Sequence, residues 1–144
     1  MSSSDHQSSE EKIKLPTNAP MKAYQDYINQ LENLHGWQDV DLVHNCFLMG
    51  EEVGELFKGV RKYLNYASEN HQSSQDMSQE LSQDMSQDMS QETSKLQIKA
   101  KQNIAEEIVD VFNYLLAIAN RLDIDVEEAF RDKNKTNQNR TWKS

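Results

Sequence analysis

The sequence is poor in the residues that break helices and in cysteine. Its 144 residues include 4 glycines, 2 prolines and a single cysteine. Few turn signals are therefore present, and no segment has the alternating pattern of a strand or hairpin. Cys46 has no partner for a disulfide within the chain, and its apolar neighbours predict a place in the core. We expect an all-α protein.

An excess of basic residues and long apolar runs are also lacking. The 15 Lys and Arg residues are outnumbered by 24 Asp and Glu residues, which gives a formal net charge of −9. Phosphate backbones attract clustered Lys and Arg, so we expect no nucleic-acid partner. No apolar run reaches the roughly 18 residues that a membrane span needs, so we expect no membrane partner. With a single cysteine, we expect a cytoplasmic protein.

Four segments carry apolar residues at helical spacing. Gly36 is expected to end the first helix, and Asp39 or Asp41 can cap the second. The predicted helices cover about residues 21–35, 39–67, 97–122 and 125–137. We expect an antiparallel bundle of these four helices. The apolar stripes of the second and third helices are broader than one hairpin can cover, which predicts that self-association completes the bundle.

Two segments do not share this pattern. Residues 1–20 are rich in Ser, charged residues and Pro, and they predict a disordered tail before a helical domain over 21–144. Residues 74–93 form a four-residue tandem repeat, SQDM SQEL SQDM SQDM SQET. Because Ser, Gln and Asp bury little apolar surface, we interpret the region at about 70–95 as a disordered or partly helical insertion.

Two acidic motifs are candidates for chemistry. At about 100° per residue, Glu52 and Glu55 fall about 60° and 120° to one side of their apolar stripe. Glu107 and Asp110 fall by the same amounts on the same side of theirs. Antiparallel packing of the two helices would therefore bring four carboxylates together. Oxygen ligands with no nearby imidazole or thiolate suit Mg²⁺ or Mn²⁺.

These acids also allow other interpretations. A single Glu-x-x-Glu is usually a solvated helix face, but two motifs with matched rotation are not typical of one. Glu51 and Glu106 project to the far side of their stripes, which predicts exposure or a supporting role. A di-iron site needs Glu-x-x-His on two helices, and only Glu32 and His35 have that spacing.

The pair Glu52-x-x-Glu55 and Glu107-x-x-Asp110 resembles the signature of the all-α nucleoside-triphosphate pyrophosphohydrolases, in their MazG-like branch. The segments LMGEEVGELFKGVRKY and NIAEEIVDVFNYLLAIANRL are similar to the two central helices of that family, and DVEEAFRDKNKTNQNRTW is similar to its last helix and tail. The resemblance spans residues 48–142, about two thirds of the chain. The gap between the motifs is longer than is usual in the family, and the SQDM repeat supplies the excess.

The resemblance implies a Mg²⁺-dependent hydrolase that cleaves nucleoside triphosphates, ribo or deoxy, to the monophosphate and pyrophosphate. The four acids would bind Mg²⁺, for which Mn²⁺ could substitute, and Glu51 or one of the four would orient the attacking water. Further residues would bind the substrate: Lys133, Asn137 and Arg140 at phosphate or sugar, and Tyr114 and Trp37 by stacking on the base. The implied assembly is a homodimer or homotetramer.

Two alternatives stay open at the level of sequence. The chain could be a non-catalytic helical interaction module whose SQDM repeat recruits a partner, in which case neither Mg²⁺ dependence nor pyrophosphate release is expected. It could also be an enzyme similar to the phosphoribosyl-ATP pyrophosphohydrolases. The motifs do not encode the preferred base or sugar, because that choice depends on the shape of the pocket.

Overall fold

The computed structural model describes residues 13–76 and 83–140, with side chains described for 13–66 and 88–140. These residues form four α-helices and one 3₁₀ turn, and none of them is in a strand, which confirms the all-α class. The elements are α1 (Met21–His35), the 3₁₀ turn (Trp37–Asp39), α2 (Leu42–Asp76), α3 (Gln83–Arg121) and α4 (Val126–Gln138). Within the described residues, no helix combines the length and apolarity that crossing a membrane requires.

The helix ends follow the local sequence signals. Gly36 adopts a left-handed conformation with φ 69° and its N–H bonds back to α1, which ends the helix where the sequence predicts. The Asp41 carboxylate accepts from the backbone N–H groups of Val43 at 2.9 Å and His44 at 3.2 Å, so Asp41 rather than Asp39 caps α2. Asp125 caps α4 by accepting from Glu128 N–H at 2.9 Å.

The two long helices extend further than the sequence analysis predicted. α2 continues to Asp76 instead of about 67, and α3 begins at Gln83 instead of about 97. No glycine or proline follows Gly59, so nothing in the sequence forces an earlier end. The repeat is thus helical where it is described; its residues 77–82 lie outside the described part. Of the predicted N-terminal tail, residues 13–20 form no helix, and 1–12 are not described.

The chain divides into two compact units. Of the described residues, 13–40 and 119–140 belong to the first unit, and 41–76 and 83–118 belong to the second. In the first unit, α1 contacts both the 3₁₀ turn and α4, and Ile28 and Ala119 are buried. In the second unit, Ala100, Leu116 and Ala117 are buried.

Gln25 connects three parts of the first unit through its buried amide. Its Nε2 donates to Asn120 Oδ1 at 3.1 Å and to the Ile124 carbonyl at 2.9 Å, and its Oε1 accepts from Val126 N–H at 3.1 Å. The Asn120 amide in turn donates to the Gln25 carbonyl at 2.8 Å. Because Gln25 is only 2% exposed, these bonds are shielded from water and fix the connection between α3 and α4 against α1.

Replacing Gln25 by alanine should lower the free energy of unfolding by about 2 kcal/mol, because the Ile124 carbonyl and the Val126 N–H lose their partner. Thermal unfolding followed by circular dichroism measures the loss. Gln38→Ala is the matched control, because the Gln38 amide makes a single exposed bond of 3.4 Å to Asn29. Equal midpoints for the two variants would show that the Gln25 network does not stabilise the unit.

Arg121, the last residue of α3, is the second polar centre of the first unit. Its guanidinium pairs with Glu32 Oε2 at 2.9 Å and donates to the Trp37 carbonyl at 2.8 Å and to the Val40 carbonyl. The side chains of Arg121 and Glu32 are only 19% and 9% exposed. One residue therefore ties α1, the 3₁₀ turn and the end of α3 together.

Two contacts show that α2 and α3 run antiparallel within the second unit. A β-carbon on Gly59 would lie 3.2 Å from Ile104 Cγ1, so the backbone of α2 closely approaches α3 at this point. Glu52, seven residues earlier on α2, meets Glu107 and Asp110, which come later on α3. An earlier residue of α2 thus meets later residues of α3, which requires the two helices to be antiparallel, as predicted from the sequence.

The predicted core position of Cys46 is wrong, since this residue is exposed. It precedes Glu52 by six residues, which places it about 120° around α2 from the side that meets α3. Other members of the predicted apolar stripes are also more than one third exposed: Val60, Ile108, Leu115 and Leu122. The contact between α2 and α3 therefore buries only part of each apolar stripe.

Candidate functional site

Three carboxylates from α2 and α3 converge in the second unit. Glu52, Glu107 and Asp110 each offer an oxygen atom, and these three atoms all lie within 4.8 Å of one another. Glu52 and Glu107 are half-buried, whereas Asp110 is exposed. The matched rotation of the two motifs predicted that these acids would meet, and the structure brings them together. We refer to these three residues as the acidic cluster.

Helix geometry explains why the cluster forms at this place. Glu107 and Asp110 are three residues apart, so they lie on neighbouring positions of one face of α3. Glu52 lies seven residues, about two turns, before Gly59, on the side of α2 that approaches α3. Because both motifs sit in the interior of long helices, the backbone N–H and C=O groups around them are bonded within the helices. The carboxylates therefore project from a fixed backbone.

The electrostatics of the cluster disfavour the charged form of Glu52. Burial is the largest cause that raises the pKa of Glu52 above 4.5, followed by the charges of Asp110 and Glu107. A hydrogen bond with Glu107 and the charge of Glu51 raise the pKa further. Two unit charges 4 Å apart repel by about 4 kcal/mol at an effective dielectric of 20, and partial exposure reduces this value here. Burial and the neighbouring acids thus together make a negative charge on Glu52 unfavourable.

Replacing Glu52 by glutamine should therefore stabilise the metal-free protein, by about 0.5–1 kcal/mol after solvent screening. The glutamine amide can still donate to Glu107, while the repulsion is removed. Since the raised pKa means that ionisation of Glu52 opposes folding, the advantage of the variant should grow as the pH rises above 4.5. Unfolding midpoints of both proteins in EDTA, at acidic and neutral pH, measure this difference. A variant less stable than the wild type at neutral pH would contradict the account.

Glu55, the fourth predicted acid, does not belong to the cluster. Its carboxylate pairs with Lys58 Nζ at 3.0 Å, three residues further along α2, and both side chains are more than half exposed. This pair was not predicted from the sequence, although the three-residue spacing of opposite charges on a helix is a signal for it. An exposed pair of this kind contributes at most about 1 kcal/mol, so it presents a small barrier to rearrangement.

Glu51 and Tyr114 lie beside the cluster. Burial is the main cause that raises the pKa of the Tyr114 phenol, and the charges of Glu52, Asp110 and Glu51 add to it. Glu51 is exposed, and its charge acts on both Glu52 and Tyr114. Tyr114 follows Asp110 by one helical turn and is half-buried, so a flat aromatic side chain borders the acids on α3.

The donor set of the cluster fits a hard divalent cation. All three donors are carboxylate oxygens, and among the described residues this is the one group of three or more acidic, His or Cys side chains close enough to share an ion. Mg²⁺ prefers oxygen ligands and keeps several waters, so three carboxylates suffice without a closed cage. A bound cation would also offset the repulsion from Asp110 and Glu107, which adds to burial in raising the pKa of Glu52.

The remaining predicted site residues belong to the first unit. Trp37 is half exposed and stacks on His35, with ring centroids 4.4 Å apart and an interplanar angle of 21°. On α4, Lys133 is exposed and Asn137 donates to Asn134 Oδ1 at 3.5 Å, while Arg140 follows the end of the helix and is exposed. Their predicted roles in binding base and phosphate stay predictions.

The residues considered for a di-iron site have other partners. The Glu32 carboxylate is buried and pairs with Arg121, and the imidazole of His35 stacks on Trp37. No histidine takes part in the acidic cluster. Within the described part of the chain, the arrangement therefore favours an all-carboxylate cation site over a mixed Glu and His site.

Comparison of the chain with models of protein families gave no match. Searches among curated proteins and among solved structures also gave none.

Proposed function

We propose that this protein is a Mg²⁺-dependent nucleoside triphosphate pyrophosphohydrolase that releases the monophosphate and pyrophosphate. The observation that supports this function most is the acidic cluster, in which Glu52, Glu107 and Asp110 place three oxygens within 4.8 Å of one another. The resemblance of the two motifs to the all-α pyrophosphohydrolases supplies the reaction, since a cation site alone is compatible with many functions.

The acids of the cluster would hold the cation, and Glu55 would join them after leaving Lys58. Bound Mg²⁺ would neutralise charge on the phosphates and make water a better nucleophile for cleavage between the α- and β-phosphates. Glu51 is exposed beside the cluster, where a free carboxylate can orient the attacking water. Tyr114 borders the cluster and offers an aromatic face to the base. Mn²⁺ can replace Mg²⁺ at a site built from carboxylates.

Self-association would cover the apolar faces of α2 and α3 that are exposed in the single chain. Large apolar side chains on both long helices are more than 45% exposed: Val43, Phe47, Phe57 and Leu64 on α2, and Ile98, Ile108, Val109 and Leu115 on α3. Exposed apolar area of this extent on a helix pair is typical of an association surface. We propose a homodimer or homotetramer in which Trp37, Lys133, Asn137 and Arg140 contribute to substrate binding.

A panel of canonical and modified nucleoside triphosphates, together with phosphoribosyl-ATP, tests this function. Each compound is incubated with the protein in Mg²⁺ or in EDTA, and the products are identified by chromatography. We expect monophosphate and pyrophosphate in Mg²⁺ alone, with activity on at least one pyrimidine deoxynucleotide. Cleavage of phosphoribosyl-ATP alone would assign the related activity instead. No cleavage of any compound would contradict the enzymatic function and favour an interaction module.

A further inference from the structure

Two lysines of the second unit lie on the same flank of the helix pair as the acids. Lys62 follows Glu52 by ten residues, which places it about 15 Å further along α2 and about 80° around the helix, within about 20° of Glu55. Lys99 precedes Asp110 by eleven residues, which places it within about 20° of Asp110 and about 16 Å back along α3. Both lysines therefore lie beyond one end of the acidic cluster, and Tyr114 lies beyond the other end.

The antiparallel packing sets these two lysines at nearly the same height. Gly59 approaches Ile104, and Lys62 lies three residues beyond Gly59 while Lys99 lies five residues before Ile104. The difference of two residues is about 3 Å along the helix axes. Along this flank, the order is therefore Tyr114, then the acidic cluster, then the lysines.

Neither lysine is neutralised by the protein within the described side chains. Both are exposed, and none of the ion pairs among those side chains includes Lys62 or Lys99. Lys58, by contrast, is held by Glu55 at 3.0 Å. Among the described side chains, both lysines are therefore available to an anionic ligand. They add positive charge to this flank of a protein with a net charge of −9.

We propose that Lys62 and Lys99 bind the terminal phosphates of the triphosphate and so fix its direction, with the base towards Tyr114 and the leaving pyrophosphate towards the lysines. This inference rests on the proposed function. A polyanion that approaches the acids needs more positive charge than a cation at the cluster supplies, and these lysines provide it at the far end of the substrate. An extended nucleic acid does not fit, because its further phosphates would meet an acidic surface.

Two double variants test the proposal. Lys62→Ala/Lys99→Ala removes the two lysines, and Arg61→Ala/Lys101→Ala removes two exposed cations from the same stretches of α2 and α3. Arg61 projects about 180° from Glu52, and Lys101 projects about 180° from Asp110, so the control pair lies on other faces. Both variants lower the net charge equally. Circular dichroism confirms that each remains helical.

The readouts are the KM for a deoxynucleoside triphosphate and the affinities for inorganic pyrophosphate and for the monophosphate, measured by calorimetry in Mg²⁺. We expect the lysine variant to bind pyrophosphate about tenfold more weakly and to raise KM similarly, a change of about 1.4 kcal/mol that two exposed ionic contacts can supply. Its affinity for the monophosphate should be unchanged. The control variant should match the wild type in all three.

The outcomes separate this proposal from the proposed function. Hydrolysis with equal pyrophosphate affinity in both variants would overturn the role of the lysines and leave the hydrolase intact. Pyrophosphate binding that depends on Lys62 and Lys99, without any hydrolysis, would support the phosphate site and contradict the hydrolase. No pyrophosphate binding by the wild type, or equal weakening in both variants, would overturn the proposal.

Discussion

Glu107→Gln should lower the rate of pyrophosphate release by about 10²–10³-fold while the helices remain intact. Glutamine keeps the size of the side chain and its helix propensity but removes one of the three converging carboxylates. A neutral amide is a weaker ligand for a hard cation, so the transition state loses electrostatic stabilisation. Steady-state kinetics at saturating Mg²⁺ measure the rate, and circular dichroism reports the helices.

The matched control for this prediction is Glu106→Gln. Glu106 is the preceding residue on α3, is exposed and does not belong to the acidic cluster. The Glu106→Gln substitution removes the same charge from the same turn of α3 as Glu107→Gln. A general effect of charge would therefore slow both variants alike. Turnover by Glu106→Gln within a few-fold of the wild type, beside a strong loss in Glu107→Gln, is expected. Comparable rates for the two variants would contradict a role of the cluster in catalysis.

Arg121→Met should cost the largest amount of stability, about 3 kcal/mol. The methionine retains most of the apolar stem, but the buried Glu32 carboxylate loses its partner and the Trp37 and Val40 carbonyls lose their donor. Breaking one side of a buried ion pair is costly because the remaining charge stays uncompensated. For a chain of this length, the unfolding midpoint should fall by about 10 °C.

Two further variants check that the loss comes from the unpaired carboxylate. Adding Glu32→Gln to Arg121→Met should recover part of the stability, because the buried group is then neutral. Arg131→Ala breaks the pair between Arg131 and Glu127, in which the two side chains are 70% and 44% exposed. Because this pair is exposed, its loss should cost less than about 1 kcal/mol. No recovery in the double variant would show that Arg121 acts through packing instead of charge.

Helical periodicity and the rotation of the acids were sufficient to predict the all-α fold and the three residues of the acidic cluster. Both depend on regular geometry, since the position of a side chain around a helix follows from residue number alone. Glu52, Glu107 and Asp110 therefore met as the spacing implied. Glu55 did not join them, because the rotamer of its side chain decides its partner. Lys58 is within reach on the same helix and pairs with it.

The hydrogen-bond networks around Gln25 and Arg121 in the first unit could not be predicted from sequence patterns. Gln25 and Arg121 are polar residues of amphipathic helices, and their partners lie up to 101 residues away in the chain. Such contacts depend on how α1 packs against the end of α3 and on the path of the connection to α4, which periodicity does not specify. The same limit explains Cys46, which an apolar neighbourhood placed in the core and the structure exposes.

Calorimetric titration of Mn²⁺ into the metal-free protein, and into its Glu52→Gln/Glu107→Gln variant, tests the central claim most directly. The wild type should bind the ion through the carboxylates that α2 and α3 bring together, and the variant should show no binding in the same concentration range. Identical isotherms for the two proteins, or no binding by the wild type at millimolar Mn²⁺, would contradict a metal centre at this cluster.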